Sequence, residues 1–301
     1  MRIGLDYGGT KIEAAAFGPG GAPLARLRTP TPREYGASLQ VIRELVSQIE
    51  RETGARGSVG VALPGSVSPR SGLVRNANST WLNGRPFESD LAKALERPVR
   101  VANDANCFAL SEAVDGAGAG AGCVFGVILG TGCGGGVAMD GRVHNGASGV
   151  AGEWGHTPLP WPSAEETPGP ACWCGRRGCM ETWVSGTGFA RWASAALGRE
   201  IRGEEIAAAA AAGDAAAIAV IDLLADRLAR GLAVVIDVLD PDVIVLGGGL
   251  SDVDGLPEKV AARLPPHVFS DHVAAQVVRH RHGAASGVRG AAWLWNGEEI
   301  A

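Results

Sequence analysis

The first six residues, Met1-Arg2-Ile3-Gly4-Leu5-Asp6, hold no apolar run of the kind a secretory leader needs. The alanine-rich stretch 207–221 is broken by Asp214 well short of spanning length, so a cytoplasmic protein without a membrane partner is expected. Basic charge is not in excess. The 27 Lys and Arg against 32 Asp and Glu leave a net charge of −5, and no global positive field exists to grip a phosphate backbone. Nucleic acid is therefore not an expected partner. Six cysteines in 301 residues are too few for a disulfide framework. Two fingerprints are missing as well: the sequence has no G-x-x-x-x-G-K-[ST], and no G-x-G-x-x-G that opens a suitable helix, which excludes a P-loop enzyme and a dinucleotide-binding unit.

Glycine is the residue present in excess, 45 in 301, against a norm of about 7%. The glycines gather at 8–9, 130–136, 141–155 and 247–249, each following or flanking an apolar run. Ile3–Asp6, Val59–Leu63, Val124–Leu129 and Val243–Leu246 read as buried strands that stop at glycine or proline. Residues 38–52, 88–96, 104–115, 204–212 and 215–239 carry apolar side chains at helical spacing, and Pro241 closes the last of these. Alternating strands and helices imply an α/β fold. A weak internal repeat lays Ile3–Phe17 on Phe125–Met139, both reading as strand, glycine turn, strand. Two similar α/β lobes with a cleft between them follow, an N-terminal one over 1–117 and a C-terminal one over 118–301.

Asp6-Tyr7-Gly8-Gly9-Thr10-Lys11 sets a carboxylate at a strand end, then two residues without Cβ, a hydroxyl and an ammonium. Such a turn can cradle phosphate beside a magnesium-side acid, though an ordinary hairpin would use the same letters. Gly130-Thr131-Gly132-Cys133-Gly134-Gly135-Gly136 is a second such loop, costly to order unless something approaches its backbone. Two cradles favour a nucleoside triphosphate. Asn103-Asp104 follows a short strand and opens a helix; either residue could be a plain N-cap, or Asp104 could be a general base at a strand's carboxyl end. Glu153-Trp154-Gly155-His156 followed by Cys172-Trp173-Cys174 and Cys179-Met180-Glu181 offers one imidazole and three thiols, the Cys₃His set of structural zinc. That ion would fix Glu153 and Glu181 without ligating them, and ionised carboxylates suit pairs of sugar hydroxyls. Pro64-Gly65-Ser66 and Asn76–Gly84, with Trp81 among amides and hydroxyls, read as a carbohydrate surface or as a plain loop. Val245–Ser251 ends a strand in Gly247-Gly248-Gly249, where an adenine ring could lie close to the backbone.

These motifs, together with the tail Ser286–Trp295, resemble the ROK sugar kinases over essentially the whole chain. The resemblance implies a two-lobed actin/hexokinase-like (ribonuclease H-like) fold with duplicated α/β lobes and an interlobe cleft, and transfer of phosphate from ATP, with Mg²⁺, to a hexose. It implies Asp104 as catalytic base and Gly65, Asn78, Asn103, Asp104, Glu153, His156 and Glu181 on the sugar. Gly4, Asp6, Gly8, Gly9, Thr10 and Lys11 fall on the first phosphate side, Gly130, Thr131, Gly132, Gly134, Gly135 and Gly136 on the second, and Gly247, Gly248 and Gly249 on the adenosine side. His156, Cys172, Cys174 and Cys179 match the structural Zn²⁺ ligands. The 76–84 loop and the tail look most like the fructokinase branch, making fructose the expected acceptor, with N-acetylglucosamine kinase or glucokinase as the alternative. A homodimer is also implied. A sugar sensor without catalysis is the rival from another class; it would keep Glu153, His156 and Glu181 but not need Asp104 with both phosphate loops.

Overall fold

In the computed structural model, which describes residues 1–295, the apolar runs become strands and the helically spaced stretches become helices. The chain begins β1 (Arg2–Tyr7), β2 (Lys11–Phe17), β3 (Pro23–Pro30), α1 (Tyr35–Thr53) and β4 (Ser58–Leu63). There follow β5 (Ser66–Val67), β6 (Val74–Arg75), α2 (Phe87–Leu95), β7 (Val99–Asn103) and α3 (Asp104–Asp115). Next come β8 (Cys123–Leu129), β9 (Cys133–Met139), β10 (Arg142–Val143), α4 (Glu181–Val184) and α5 (Gly186–Leu197). The last elements are α6 (Gly203–Ala211), α7 (Ala215–Leu239), β11 (Val243–Gly247), α8 (Leu256–Ala261), β12 (Gln276–Arg279) and α9 (Ser286–Trp293).

Two five-stranded sheets run β3-β2-β1-β4-β7 and β10-β9-β8-β11-β12. In each, a strand–turn–strand segment with a glycine turn is followed by strands added in parallel on the other side: β4 on β1 and β7 on β4, then β11 on β8 and β12 on β11. The same order in both sheets is the internal repeat seen in the sequence.

By packing, the chain forms two units. One is Met1–Gly120, Gly136–Ala151 and the chain from Ala284; the other is Ala121–Gly135 and Gly152–Gly283. A single cut at 117 would leave 136–151 and the tail with the second lobe, whereas their contacts lie with the first. In the first unit, Ile3, Leu5, Ile12, Val59 and Val61 pack with Ile42 and Ile49 of α1 and Phe87 and Leu91 of α2. On the sheet's other side α9 approaches at backbone distance, because a Cβ on Gly4 would stand 1.8 Å from the Val288 carbonyl oxygen and one on Gly60 1.9 Å from that of Ala291. In the second unit the long helix α7 starts at Asp214, whose side chain accepts from the backbone of Ala216 and Ala217, and ends at Asp240 in a left-handed cap before Pro241. Among the described residues no single helix is long and apolar enough to cross a membrane.

Candidate active site in two half-sites

In the first unit the β1–β2 connection is both things the sequence allowed, a hairpin and an open turn. The Gly8 amide donates to the Lys11 carbonyl at 3.0 Å, closing the turn, while Gly9, Thr10 and Lys11 stay exposed. Thr31, just beyond β3, holds the turn from outside: its hydroxyl donates to the Gly8 carbonyl at 2.7 Å and its amide to the Thr10 carbonyl at 3.0 Å. Nothing in the sequence marked Thr31, since its role is visible only once β3 lies beside β2.

Asp6 is the penultimate residue of β1, beside this turn. Burial, then the neighbouring Asp104 and Glu13, push its carboxyl up to about 6 against the opposing pull of Lys11. Acids gathered around a buried carboxylate favour a cation, and Asp6 with Asp104 fits the acidic side of a Mg²⁺ site.

Asn103, not Asp104, takes the capping role that the sequence left open between them. Asn103 is the N-cap of α3: its Oδ1 accepts from Ala105 at 2.8 Å and Asn106 at 3.4 Å, and its amide donates to the Gly65 carbonyl at 2.9 Å. Asp104 is therefore the first helical residue rather than the cap, exposed, with its carboxylate accepting from the Ala105 amide at 2.8 Å. A helix N-terminus favours negative charge there. Gly65 sits at φ +81°, and a Cβ would meet the Arg75 carbonyl oxygen at 2.4 Å, so only glycine turns the chain under Asn103. Asn78 is exposed on the loop between β6 and α2, where Asn83 clasps Ala77 by two hydrogen bonds of 2.9 Å. Trp81 of that loop donates to the Tyr7 hydroxyl at 2.9 Å, tying it to the end of β1.

In the second unit, Gly130 to Gly132 form the turn out of β8, and Gly247 to Gly249 the exit from the adjacent parallel strand β11, with Gly247 beside Ile128. Both glycine runs thus lie at the carboxyl ends of neighbouring strands, the usual ligand side of an open α/β sheet. A Cβ on Gly248 would meet the Leu129 backbone at 2.6 Å, while Gly249 faces open space.

Three expected nucleotide glycines have packing work instead. Gly4 lies buried in mid-strand under α9, as above, and not at the cradle. A Cβ on Gly135 would strike the Gly152 carbonyl and the Trp154 indole at 2.5 Å, and one on Gly136 would come 2.4 Å from the Ala105 carbonyl oxygen of α3. The open part of the second loop is therefore Gly130 and Thr131, while a Cβ on Gly132 would stand 2.7 Å from Glu181 Oε2. Gly134 contributes its carbonyl to the Trp154 indole N–H at 3.1 Å.

The zinc expectation has a definite geometry. The candidate ligand atoms of His156, Cys172, Cys174 and Cys179 all lie within 4.8 Å of one another. Cys172 Sγ and His156 Nδ1 are 3.6 Å apart, and the Sγ atoms of Cys174 and Cys179 are 3.7 Å apart. Tetrahedral zinc with Zn–S bonds near 2.3 Å requires ligand atoms roughly 3.8 Å apart. Burial and the adjoining thiols push Cys179 up to about 12, so it keeps its proton unless a cation among the sulfurs draws it off. With Nδ1 turned to the sulfurs, Nε2 of His156 is the atom left for another partner.

Glu181 opens α4 directly after this loop. Its Oε2 accepts from the Cys133 amide of the second glycine loop at 3.1 Å, and its Oε1 from the Trp173 indole at 2.7 Å. Glu153 is exposed on the same unit, three residues before His156. The loop from Thr157 to Ala171 is clamped by Glu166, which α7 reaches with Arg227 at 2.8 Å and Arg230 at 2.9 Å. Arg227 and Arg230, set among apolar residues on the buried face of α7, were the signal for this clamp.

Known proteins place this arrangement. The ROK family model matches residues 2–298. N-acetyl-D-glucosamine kinases of Shigella boydii serotype 4 (strain Sb227) and of Escherichia coli O127:H6 are 40% identical over 299 residues, 98% of this chain and 99% of theirs. The ROK hexokinase of Thermus thermophilus superposes with a TM-score of 0.85 at 34% identity, over 97% of both chains. A ROK family glucokinase from Streptomyces griseus in complex with glucose and AMPPNP does so at 0.75 and 29%, also over 97% of both. Matched from end to end by the family model and by such relatives, the chain belongs to the ROK family.

Proposed function

We propose that this protein is a cytoplasmic, ATP-dependent sugar kinase whose acceptor is N-acetylglucosamine, phosphorylated at its 6-hydroxyl. The observation that carries the reading is in the first unit: Asp104 begins α3 within electrostatic reach of Asp6, which itself opens the Gly8–Lys11 turn. The acceptor favours N-acetylglucosamine over fructose because relatives at 40% identity and full length carry that activity in their names, whereas the fructokinase likeness rests on one loop and the tail.

ATP with Mg²⁺ supplies the phosphoryl group and part of the charge neutralisation. The chain's own tasks are positional and electrostatic. Asp104 accepts the proton of the attacking hydroxyl at its carboxylate, and Asn103, held by its cap and by Gly65, keeps that carboxylate at the helix start. Asp6 would hold the Mg²⁺ on its acidic side, Gly9 and Thr10 with Thr131 and Gly132 offer N–H groups to phosphate oxygens beside turns closed by the Gly8 and Gly130 amides, and Gly247 to Gly249 leave space for the adenosine. Glu153, His156 and Glu181 of the second unit accept from or donate to the sugar hydroxyls, and Asn78 of the first unit's 76–84 loop is assigned to the sugar by the family resemblance. The His156–Cys172–Cys174–Cys179 cluster holds zinc as a filled structural site, which fixes the position of His156 and the start of α4.

A homodimer accompanies this reading. On the second unit Phe269 is 98% exposed, Val238 83% and Trp161 55%. They are neighbours, since the Phe269 amide donates to Asp237 and Trp161 stacks on His267 at 5.4 Å. Large apolar side chains exposed together mark an interaction surface.

The test is a side-by-side assay of N-acetylglucosamine, fructose, glucose and mannose with Mg-ATP. N-acetylglucosamine is expected to give the highest kcat/KM, with one ADP per sugar 6-phosphate. Fructose as fastest acceptor would overturn the specificity, and sugar binding without ADP release for any hexose would make the protein a sensor.

A further inference from the structure

Trp173 lies between two thiols of the metal cluster in sequence, yet its side chain takes no part in that cluster. The ring stands edge-on to His156, with centroids 4.9 Å apart at 85°, and remains 72% exposed. An indole so exposed would ordinarily give its N–H to water and sample several rotamers. Here the N–H is committed to Glu181 Oε1 at 2.7 Å, while the other oxygen of that carboxylate accepts from Cys133 at 3.1 Å. These donors come from two different loops, and the Cys172 thiol also reaches Oε1 at 4.0 Å, so the carboxylate is restrained at both oxygens. Oε2, with the Cys133 amide on it, keeps a further lone pair that a hydroxyl can use.

We propose that Trp173 is a positioning and specificity residue for the sugar acceptor: its indole N–H aims the Glu181 carboxylate, and its exposed ring face carries the apolar C–H face of the sugar. The inference rests on the reading of Glu181 as a sugar-side acid. The chemistry is that of carbohydrate recognition, in which an aromatic face covers the C–H side of a ring while an adjacent acid takes its hydroxyls. The preorganisation is what a freely rotating glutamate would lack.

Two substitutions separate the two contributions. Trp173→Phe keeps a ring and removes the N–H; Trp173→Ala removes both. Binding of N-acetylglucosamine is measured by calorimetry without nucleotide, together with zinc content per chain and the KM for ATP. Trp173→Phe is expected to weaken sugar binding by about tenfold, the scale of one hydrogen bond to a charged group. Trp173→Ala should weaken it by a further several-fold, about the worth of a stacking contact. Zinc content and the KM for ATP should stay at wild-type values. Wild-type sugar affinity in both variants would overturn the inference alone, and tighter binding in Trp173→Phe would too, since the indole would then be blocking Glu181. Loss of zinc from both variants would assign Trp173 to the metal loop and equally overturn it. A wild-type protein that binds none of the four hexoses overturns the kinase reading itself.

Discussion

At the residue scale, two carboxylates on the first unit have separable signatures. Asp104→Asn preserves size and removes the carboxylate proposed as base. The expected loss in kcat is about 10²- to 10⁴-fold, the usual worth of general-base catalysis, with sugar and ATP binding within a few-fold of wild type. Turnover within tenfold of wild type would remove Asp104 from that role. Asp6 is legible through pH. Its folded carboxyl, raised mainly by burial to about 6 from an ordinary 3.8, holds its proton more tightly than in the unfolded chain. Its contribution to stability is therefore fully present below about pH 4 and lost as pH rises through about 6. Asp6→Asn, which cannot ionise, should match wild type in urea unfolding at pH 4 and exceed it by about 1–3 kcal/mol at pH 7.5 without nucleotide or magnesium. Equal stability at both pH values would refute the raised carboxyl of Asp6. The sequence pointed to this pair but could not say which of Asn103 and Asp104 caps the helix. The deciding fact, which side chain reaches the Ala105 and Asn106 amides, exists only after the helix has chosen its first turn.

At the scale of elements, the segment from His156 to Cys179 is held at two places. One is the His156 and three-cysteine cluster, and the other is the Glu166 carboxylate under α7. Burial pushes Glu166 up, but hydrogen bonds from Arg230 and Arg227 outweigh that and hold it down to about 2. Its stabilisation is present above the ordinary carboxylate range and lost as pH falls from about 4.5 toward about 2. Arg230 also donates to the carbonyls of Pro160 and Trp161 at 3.1 Å. Arg230→Ala breaks both sets and leaves a buried carboxylate with half its partners, a loss of about 3–5 kcal/mol in unfolding free energy. Less than about 1 kcal/mol would mean the clamp is not buried in solution. The cluster makes its own prediction: a strong chelator at neutral pH should release one zinc per chain and lower Tm, and unchanged Tm after release would contradict a structural ion. The cysteines were readable because three thiols in a glycine- and arginine-rich loop have no apolar pattern to bury them. The glycines were less so. Gly8 and Gly9 flank an open turn while Gly4, Gly60 and Gly136 admit a neighbouring backbone, and both uses ask for the same missing Cβ.

For the whole molecule, the legible part was the duplication. Strand–turn–strand at Ile3–Phe17 and again at Phe125–Met139 became two sheets of the same order, because apolar runs of that length, ended by glycine, have few other ways to be buried. What stayed hidden was the tail's destination: α9 lies on β1, β2 and β4 of the first unit, a contact between segments far apart in sequence that no local pattern specifies. The outer surface is the other feature local pattern leaves open, since Phe269, Val238 and Trp161 resemble core residues in composition and prove exposed. A second copy of the chain covering them follows from the reading above, and each side chain of that size buried would contribute about 1.5–3 kcal/mol. Phe269→Glu with Val238→Glu inserts charges that a partner surface could not desolvate, while touching none of the half-site residues. Sedimentation should then show wild type as a dimer and the double variant as a monomer of 30.8 kDa, with Tm lowered in a concentration-dependent way. A wild-type protein that sediments as a monomer would mean these side chains face solvent in the working molecule.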